Sequence, residues 1–204
     1  MIPMRTFMQS RACRCMLFLC VAGMASCSAA VRPGQQQKRP SALELEVPEN
    51  AADRTYLGIE EGTRFHVSEI AAQVVIIELF STLCHHCQKE APRVNELYAL
   101  IAREGLAGSI KIIGIGEGNT PGMVRAFREK YAVPFPLFAD KKMAVMDALH
   151  ARLLPAFFCF RRGRDGSFEQ FYSLSRDLGS PANVLKAVRT HSGMKGRSAV
   201  PPRP

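Results

Sequence analysis

The sequence predicts an α/β fold in which a mixed central sheet is flanked by helices. Two runs of β-branched apolar residues, at 74–80 and 109–116, have the composition of strands that are buried on both faces. Each run is followed by an amphipathic helical pattern, and a hairpin and one more helix come after them. This order of strands and helices predicts both parallel and antiparallel pairing in one sheet.

The first half of the predicted domain contains the two buried strands and their helices. Residues 56–70, YLGIEEGTRFHVSEI, combine apolar residues with glycine turns and predict short strands that lead into the fold. Residues 88–105 predict a helix that ends at a glycine, because apolar side chains recur there at helical spacing. Residues 120–133 predict a second helix, with Thr120 as N-cap and Pro121 as its first residue.

The second half predicts one more helical stretch, a hairpin and a closing helix. Residues 143–154 form the helical stretch. The strands PAFFCF, at 155–160, and SFEQFYSL, at 167–174, flank an Asp-Gly turn and should pair with each other. Residues 180–191 predict the closing helix, with Ser180 as its N-cap.

The composition favours a globular domain and gives no sign of a nucleic-acid partner. Of the 204 residues, 47% are apolar and 22% are charged. The net charge is +9, but the first 26 residues and the tail from Arg189 hold basic residues without an acid, which leaves the domain between them nearer to balance. No basic stripe with interleaved aromatic residues and no phosphate-binding loop is visible, so we expect neither nucleic acid nor a cofactor.

Residues 1–26 have the pattern of a lipoprotein signal peptide. Arginines without an acidic residue precede a short apolar run, and small residues follow it. The apolar run is shorter than the roughly 20 residues that a membrane-spanning helix needs. MASC, at 24–27, resembles a lipobox, in which small residues precede a cysteine that receives lipid, and we therefore predict lipidation of Cys27. The alternative is ordinary signal cleavage near Ala29 or Ala30.

The remaining chain is divided into a tether, a domain and a tail. Residues 27–50 are rich in Pro, Gln and charge and predict a flexible tether. Residues 51–192 form the predicted α/β domain, and residues 193–204 predict a disordered basic tail. We expect the lipid to hold the domain in a bacterial cell envelope, facing the periplasm, with the outer or the inner membrane as alternatives.

The stretch FSTLCHHCQKEAP, at 80–92, places Cys84 and Cys87 between a buried strand and an amphipathic helix. Unpaired N–H groups and the positive end of the helix dipole stabilise a thiolate at such a helix start, and the thiolate is the form that attacks a disulfide. We therefore predict Cys84 as the nucleophile and Cys87, one turn deeper, as the resolving thiol. Cys159 lies in an apolar strand and is expected to be an inert core thiol.

With these residues the sequence resembles the thioredoxin superfamily, and within it the TlpA/ResA-like group of exported, membrane-tethered thiol-disulfide oxidoreductases. The resemblance covers about residues 65–191 and rests on VVIIELFSTLCHHCQKEAP, YAVPFPLFAD, and LLPAFFCF followed by an Asp-Gly hairpin. It implies a thioredoxin-like fold in which Pro155 is the cis-proline that packs beside the active cysteines. Leu83 departs from the pattern, since a tryptophan usually precedes the first cysteine.

The resemblance also assigns roles to two carboxylates. Glu78, six residues before Cys84, matches the acid that thioredoxins bury beneath the cysteine pair. Burial would raise the pKa of this carboxyl and suit it to shuttle the proton of Cys87. The alternative is that Glu78 faces outward at the edge of the sheet. Glu90 matches the glutamate of a C-x-x-C-x-x-E-x-P pattern that ends at Pro92, which implies that it modulates the cysteines, although any exposed helix can carry a glutamate.

The two histidines between the cysteines are candidates for redox tuning. DsbA-like oxidants carry a histidine directly before the second cysteine, as His86 is here. An imidazole there can donate to the Cys84 thiolate, or be charged beside it, and so stabilise the reduced form. His85 is expected to point outward. The alternative is that both imidazoles are exposed and have no effect.

Other chemistries of cysteine and histidine fit the spacing less well. Haem attachment needs a histidine directly after the second cysteine, where Gln88 stands. A structural zinc site needs four converging ligands, and four consecutive side chains at a helix start cannot converge. A two- or three-ligand copper site that uses Cys84, Cys87 and one histidine would make the protein a metallochaperone, and this is the alternative function. A peroxiredoxin-like peroxidase would need a proline where Ile77 stands.

The sequence therefore predicts an enzyme, a membrane-anchored thiol-disulfide oxidoreductase. It would exchange the Cys84–Cys87 pair with protein thiols and disulfides outside the cytoplasm. The resemblance to TlpA-like proteins favours the reductase direction, which needs an upstream electron donor. The position of His86 favours a more oxidising pair.

Overall fold

The structure is a computed structural model that describes residues 43–60, 62–163 and 167–194. The predicted signal peptide, Cys27 and the predicted tail beyond residue 194 lie outside the described residues. In the described part, no helix is both long enough and apolar enough to cross a bilayer. The elements, in chain order, are β1 (Glu44–Glu46), α1 (Ala51–Leu57), β2 (Arg64–His66), a 3-10 turn (Val67–Glu69), β3 (Val74–Phe80), α2 (His85–Arg103), β4 (Ile110–Glu117), α3 (Pro121–Lys130), β5 (Leu137–Asp140), α4 (Ala144–Ala148), β6 (Ala156–Arg162), β7 (Phe168–Ser175) and α5 (Pro181–Ser192).

Five strands form one sheet in the order β5-β4-β3-β6-β7, with β3, β4 and β5 parallel and β6 and β7 added antiparallel. Phe80, the last residue of β3, is level with Gly116 of β4. Ala156, the first residue of β6, is level with Leu79 of β3 on one side and with Ser175 at the end of β7 on the other. The loops after β3, β4, β5 and β7 and the loop before β6 therefore share one edge of the sheet, which we call the carboxyl edge.

Helices cover both faces of this sheet, and each face has its own apolar core. α2, α3 and α5 pack on the face that carries Ile76 and Phe80. α1 and α4 pack on the opposite face, which carries Ile77 and Leu79. Because β3 lies between the two cores, all seven of its residues are buried, Glu78 among them.

The fold class predicted from the sequence is confirmed. The sheet is mixed, the two β-branched runs are its central strands, and α2, α3 and α5 form where helical periodicity and N-terminal prolines predict them. Thr120 caps α3 by accepting a hydrogen bond from Met123 N. Ser180 is the N-cap of α5, as predicted, although its side chain makes no capping hydrogen bond.

Two predicted stretches differ from the structure. Residues 56–70 contain the end of α1, the short strand β2 and a 3-10 turn, where the sequence predicts strands alone. The helix predicted over 143–154 is limited to the five residues of α4. Met143 and His150, on either side of it, have positive φ angles of 55° and 53°. A right-handed helix cannot include such residues, so the helical pattern is interrupted at both ends.

The boundary predicted at residue 51 is also wrong, because the domain begins earlier in the chain. Leu43 and Leu45 are buried in the core on the α1 side of the sheet. Leu45 is the middle residue of β1, which pairs antiparallel with β2. Asn50 then caps α1 by accepting a hydrogen bond from Ala52 N at 2.8 Å. Residues 43–50 therefore belong to the domain and not to the predicted tether.

Candidate active site

The cysteine pair lies at the carboxyl edge, where β3 passes through a short turn into α2. Cys84 is the N-cap of α2, and its Sγ accepts a hydrogen bond from Cys87 N at 3.4 Å. Its backbone N–H donates to Ser81 O at 3.0 Å, which closes the turn. The first N–H groups of a helix have no partner within the helix. The sulfur at this position accepts a hydrogen bond from one of them, as a thiolate would. The placement predicted for Cys84 is the one observed.

The two thiols differ in exposure. Both are free, with Cys84 partly exposed and Cys87 fully buried. Burial, with the neighbouring Cys84 and Glu78 adding to it, raises the pKa of the Cys87 thiol far above its usual range. Cys87 is therefore held as a neutral thiol beneath an accessible one, an arrangement that suits it to act second.

Glu78 lies on the α2 face of β3, within the core beneath the cysteines, and it does not face outward. Only 4% of this residue is exposed, and no hydrogen bond to its carboxyl is present among the described residues. Burial, and secondly the charge of Glu90, raise the pKa of Glu78 to about 8. Since Glu78 also acts electrostatically on Cys87, a carboxyl able to hold or release a proton near neutral pH stands beside the buried thiol.

Glu90 is buried on α2 and joins this helix to the segment before α5. Its carboxylate accepts a hydrogen bond from Leu178 N at 3.2 Å and pairs with Arg93 at 3.1 Å. Arg93 also reaches Asp177 at 3.0 Å. Glu90 therefore has a positioning role in the structure, and its described link to the cysteines is its charge acting on Glu78.

The peptide bond between Leu154 and Pro155 is cis, as the family resemblance implied. Leu154 O lies 3.8 Å from Cys84 Sγ and accepts its hydrogen bond. Pro155 O in turn accepts from Arg176 N at 2.7 Å. The loop before β6 is thereby fixed between β7 and the thiol, with backbone groups presented beside the sulfur.

His85 and His86 are both exposed in the first turn of α2. Neither imidazole makes a hydrogen bond or an ion pair with another described residue. The hydrogen bond considered between His86 and Cys84 is absent from this structure. An effect of either histidine on the cysteine pair would therefore act through charge across solvent, and it stays a prediction.

Comparison with known proteins places this arrangement in a family. The AhpC/TSA family matches residues 45–164, more than half of the chain. The chain belongs to this family.

Several curated relatives are named thiol-disulfide oxidoreductase ResA. The protein from Geobacillus kaustophilus is 26% identical over 98 residues, which cover 48% of this chain and 54% of the relative. The protein from Bacillus subtilis is 28% identical over 97 residues, which cover 48% and 52%. The match thus spans about half the length of these curated relatives.

Solved structures show the same fold at low sequence identity. A secreted Mycobacterium tuberculosis disulfide oxidoreductase homologous to E. coli DsbE has a TM-score of 0.52 and 15% identity, with 77% of this chain and 99% of that chain covered. A secreted thiol-disulfide isomerase from Corynebacterium glutamicum has a TM-score of 0.52 and 17% identity, with 66% and 79% covered. The fold of this family member is therefore thioredoxin-like.

Sequence reasoning missed three residues that hold the turn before Cys84. Thr82 N donates to Asn119 Oδ1 at 2.9 Å, and Thr82 O accepts from Gln88 Nε2 at 2.8 Å. Asn119 is buried and follows β4, the neighbouring strand. A Cβ at Gly116 would lie 3.0 Å from Asn119 Oδ1, so the glycine leaves room for this amide. The signal in the sequence is a polar residue at the end of a strand that is parallel to β3.

Sequence reasoning also missed Glu117, the last residue of β4. Only 3% of it is exposed, and neither carboxylate oxygen has a hydrogen-bond partner of ordinary geometry in the structure. Burial, and secondly the charge of Asp140 on β5, raise its pKa to about 8. An acid that interrupts the strand pattern IKIIGIGE was visible in the sequence, but it stands at the end of the apolar run, where exposure is the usual expectation.

Among the described residues, no group of three or more His, Cys, Asp or Glu side chains is placed to hold an ion. The described residues therefore do not form a three-ligand copper site from Cys84, Cys87 and one histidine. Ile77, at the position where peroxiredoxins carry a proline, is fully buried in β3. Cys159 is buried in β6, and burial raises the pKa of its thiol to about 12, as expected for an inert core thiol.

Proposed function

We propose that the protein is a thiol-disulfide oxidoreductase that exchanges its Cys84–Cys87 pair with other proteins. The observation that carries this proposal is an accessible Cys84 at the start of α2, directly above a fully buried Cys87. The names of the relatives and the fold support it.

In the reducing direction, the Cys84 thiolate attacks one sulfur of the partner's disulfide. A bond forms between Cys84 and that sulfur, and the partner's second sulfur leaves as a thiolate and takes up a proton. Cys87 then attacks Cys84 Sγ, which releases the partner's first sulfur and leaves the Cys84–Cys87 disulfide. The proton of Cys87 passes to the ionised Glu78, whose pKa of about 8 lets it return the proton when the pair runs in reverse.

The backbone beside the thiol supports the docking of a polypeptide. Leu154 O and the cis peptide bond to Pro155 place an exposed loop next to Cys84 Sγ. An extended segment of a partner can pair with such a loop and bring its own sulfur in line. Glu90 holds the segment before α5 through Leu178 N, and Asn119 holds the turn before Cys84 through Thr82 N.

The function is tested on the purified, reduced protein with 2-hydroxyethyl disulfide as a neutral oxidant. We expect Cys84→Ser to abolish disulfide reduction and Cys87→Ser to accumulate a mixed disulfide at Cys84, detectable by mass spectrometry. Cys159→Ala is the matched control, because it removes a thiol that has no role and should leave the rate unchanged. Activity retained in Cys84→Ser would contradict the proposal.

The direction we infer is reduction of partner disulfides, with electrons supplied by an upstream donor. The resemblance to TlpA-like proteins supports it. Equilibration with glutathione buffers measures the reduction potential of the pair. A reductase should lie near thioredoxin, at about −270 mV, whereas a value near that of DsbA, about −120 mV, would reverse the assignment.

We further propose that lipid at Cys27 anchors the protein to a membrane of the bacterial cell envelope. The lipobox-like MASC at residues 24–27 supports the anchor. Cys27→Ser should move the protein from the membrane fraction to the soluble fraction, whereas Cys20→Ser, in the apolar run, should not. Unchanged fractionation of Cys27→Ser would refute the anchor and leave the thiol chemistry untouched.

A further inference from the structure

The surface around Cys84 is apolar at its centre. Leu83, directly before the cysteine, is 81% exposed, and Leu153, in the loop that contacts Cys84, is 44% exposed. Large apolar side chains are seldom so accessible unless they contact something else. The two leucines flank the one thiol of the described residues that is partly open to solvent.

Four cations lie in loops at the same carboxyl edge as these leucines. Lys141 and Lys142 follow β5, Arg152 precedes β6, and Arg176 follows β7, and all four are exposed. The sheet register brings these loops to the same edge as Cys84. None of the four makes an ion pair or a side-chain hydrogen bond with another described residue. We call these four residues the basic rim.

Carboxylates at this edge offset only part of the charge of the basic rim. Asp177 is already paired with Arg93, and the half-buried Asp140 accepts a hydrogen bond from Val145 N at 2.7 Å. Glu117 is buried, and its raised pKa of about 8 keeps it largely neutral at pH 7. Asp147 is the exposed carboxylate that remains among the described residues here.

We propose that the basic rim selects partners whose exchanging cysteine lies in an acidic, extended segment of polypeptide. This inference rests on the proposed thiol-disulfide exchange and names its substrate class. An extended segment would place apolar atoms against Leu83 and Leu153 and its acidic residues against the rim. An anionic lipid surface would satisfy the charge but offers no sulfur to Cys84, which is why the polypeptide is favoured. Charges arranged in this way act mainly on the rate of encounter and on the choice of partner.

The test uses three peptides of equal length, each with one cysteine joined to 2-thiopyridone as a mixed disulfide. Glutamates flank the cysteine in the first, glutamines in the second and lysines in the third. The Cys84 thiolate of the reduced full chain attacks the peptide sulfur, a Cys84–peptide disulfide forms, and 2-thiopyridone leaves and is followed by absorbance. We expect the acidic peptide to react about tenfold faster than the basic one at low salt, with the neutral peptide between them. At about 0.5 M salt the ratio should fall to about twofold.

A charge-reversed variant and a matched control locate the effect. Lys142→Glu combined with Arg152→Glu should remove or invert the order of the three peptides' reaction rates. Lys186→Glu, an exposed cation on α5 outside the rim, should keep the wild-type order. Equal rates for the three wild-type peptides, or an order that survives in the double variant, would overturn the proposal.

Two further measurements separate this proposal from its alternatives. The reduction of 2-hydroxyethyl disulfide, which carries no charge, reports the proposed exchange alone. If the wild type does not reduce this disulfide, both the proposed exchange and the proposed substrate class are overturned. If it reduces the disulfide but does not discriminate among the peptides, only the substrate class is overturned. Sedimentation of the protein with vesicles that contain phosphatidylglycerol tests whether the rim binds an anionic lipid surface. If the protein binds these vesicles through the rim and shows no selection among the peptides, the rim would be a membrane-binding surface. That result would overturn the proposed polypeptide substrate.

Discussion

Glu78 and Glu117 are two buried carboxyls on adjacent strands of one sheet, and they differ in what surrounds them. Glu78 faces the core beneath α2, whereas Glu117, following Ile113 and Ile115 in the alternation of β4, faces the α4 side. Burial raises the pKa of both to about 8. Glu78 acts on the Cys87 thiol, whereas the acidic neighbours of Glu117 are Asp140 and Asp147.

A raised pKa therefore does not by itself identify the acid that takes part in the chemistry. Desolvation produces the same change wherever a carboxyl is buried, on either face of the sheet. Only one of the two carboxyls stands beside a group that must lose or gain a proton during disulfide exchange. The pair offers a natural experiment, because each glutamate serves as the control for the other.

The largest effect should be one that the two carboxyls share, the pH dependence of stability. Each has a pKa near 8 in the fold and about 4.5 when unfolded, so folding keeps both neutral. Their contribution to stability is full below about pH 4.5 and is lost as the pH rises through 8. One pKa unit corresponds to about 1.4 kcal/mol, so each carboxyl would contribute at most ~5 kcal/mol to that loss.

Urea unfolding at pH 5 and pH 8 measures this dependence. The free energy of unfolding of the wild type should fall by several kcal/mol between the two values, and Glu78→Gln and Glu117→Gln should each remove part of the fall. Glu96→Gln, on the exposed side of α2, should keep the wild-type dependence. Equal stability of the wild type at both pH values would show that neither carboxyl is held neutral by the fold.

The next-largest effect, on the rate of partner release, should distinguish Glu78 from Glu117. Glu78→Gln removes the acceptor for the Cys87 proton and should slow the release of a partner from Cys84 by about 100-fold, the lower range for general acid-base catalysis. In the wild type this rate should rise with pH through about 8, as the carboxyl ionises, and that rise should disappear in the variant. Stopped-flow release of a partner thiol from a preformed mixed disulfide measures it.

Glu117→Gln is the matched control for that experiment and should change the release rate by less than about twofold. The substitution removes a buried carboxyl in the same way, but Glu117 faces the opposite core. If Glu117→Gln slowed release as much as Glu78→Gln, proximity to Cys87 would not be the deciding property. The effect would then have to come from the sheet as a whole.

A smaller effect, on the reactivity of Cys84, is expected from Asn119, which links the end of β4 to the turn after β3. Asn119, two residues after Glu117, accepts a hydrogen bond from Thr82 N and so holds the turn above Glu78. Asn119→Ala leaves this N–H without its partner, a loss of about 1–3 kcal/mol when the donor is buried, and should slow alkylation of Cys84 by about threefold to tenfold. Asn119→Asp keeps an acceptor oxygen and should restore most of the rate.

Iodoacetamide labelling of the reduced protein, followed over pH, measures this third effect. Asn95→Ala provides a comparison, because its amide holds the backbone of Tyr131 and Ala132 and does not contact the cysteine turn. It should lower stability while leaving the labelling rate unchanged. Similar labelling of Asn119→Ala and the wild type would mean that the turn is held without this hydrogen bond.

Much of this architecture follows from local patterns in the sequence. The apolar run of β3, the helical periodicity of α2 and the cysteine at its start each act over a few residues, so the position of Cys84 and the burial of Glu78 could be predicted. The cis bond at Pro155 came from the family resemblance alone. These features involve either neighbouring residues or a pattern shared with known proteins.

The missed features depend on residues that are far apart in the chain. The pairing of β1 with β2 joins strands of three residues each, which are too short to show a period, so the sequence alone does not place residues 43–50 in the domain. Asn119 meets Thr82 across 37 positions, and the basic rim gathers loops from three connections. Such contacts are set by the order of strands in the sheet, which one sequence does not display.

The burial of Cys87 beneath Cys84 also has a consequence for oxidative damage. Oxidants reach exposed thiolates first, so a sulfenic acid would form at Cys84 and not at its neighbour. Cys87, one helical turn away, can condense with that sulfenic acid, expel water and give a disulfide before a second oxidant arrives. The geometry that suits Cys84 to the proposed attack and Cys87 to the proposed resolution would thus also protect the site from irreversible oxidation, since the damage would end in the disulfide of the proposed cycle.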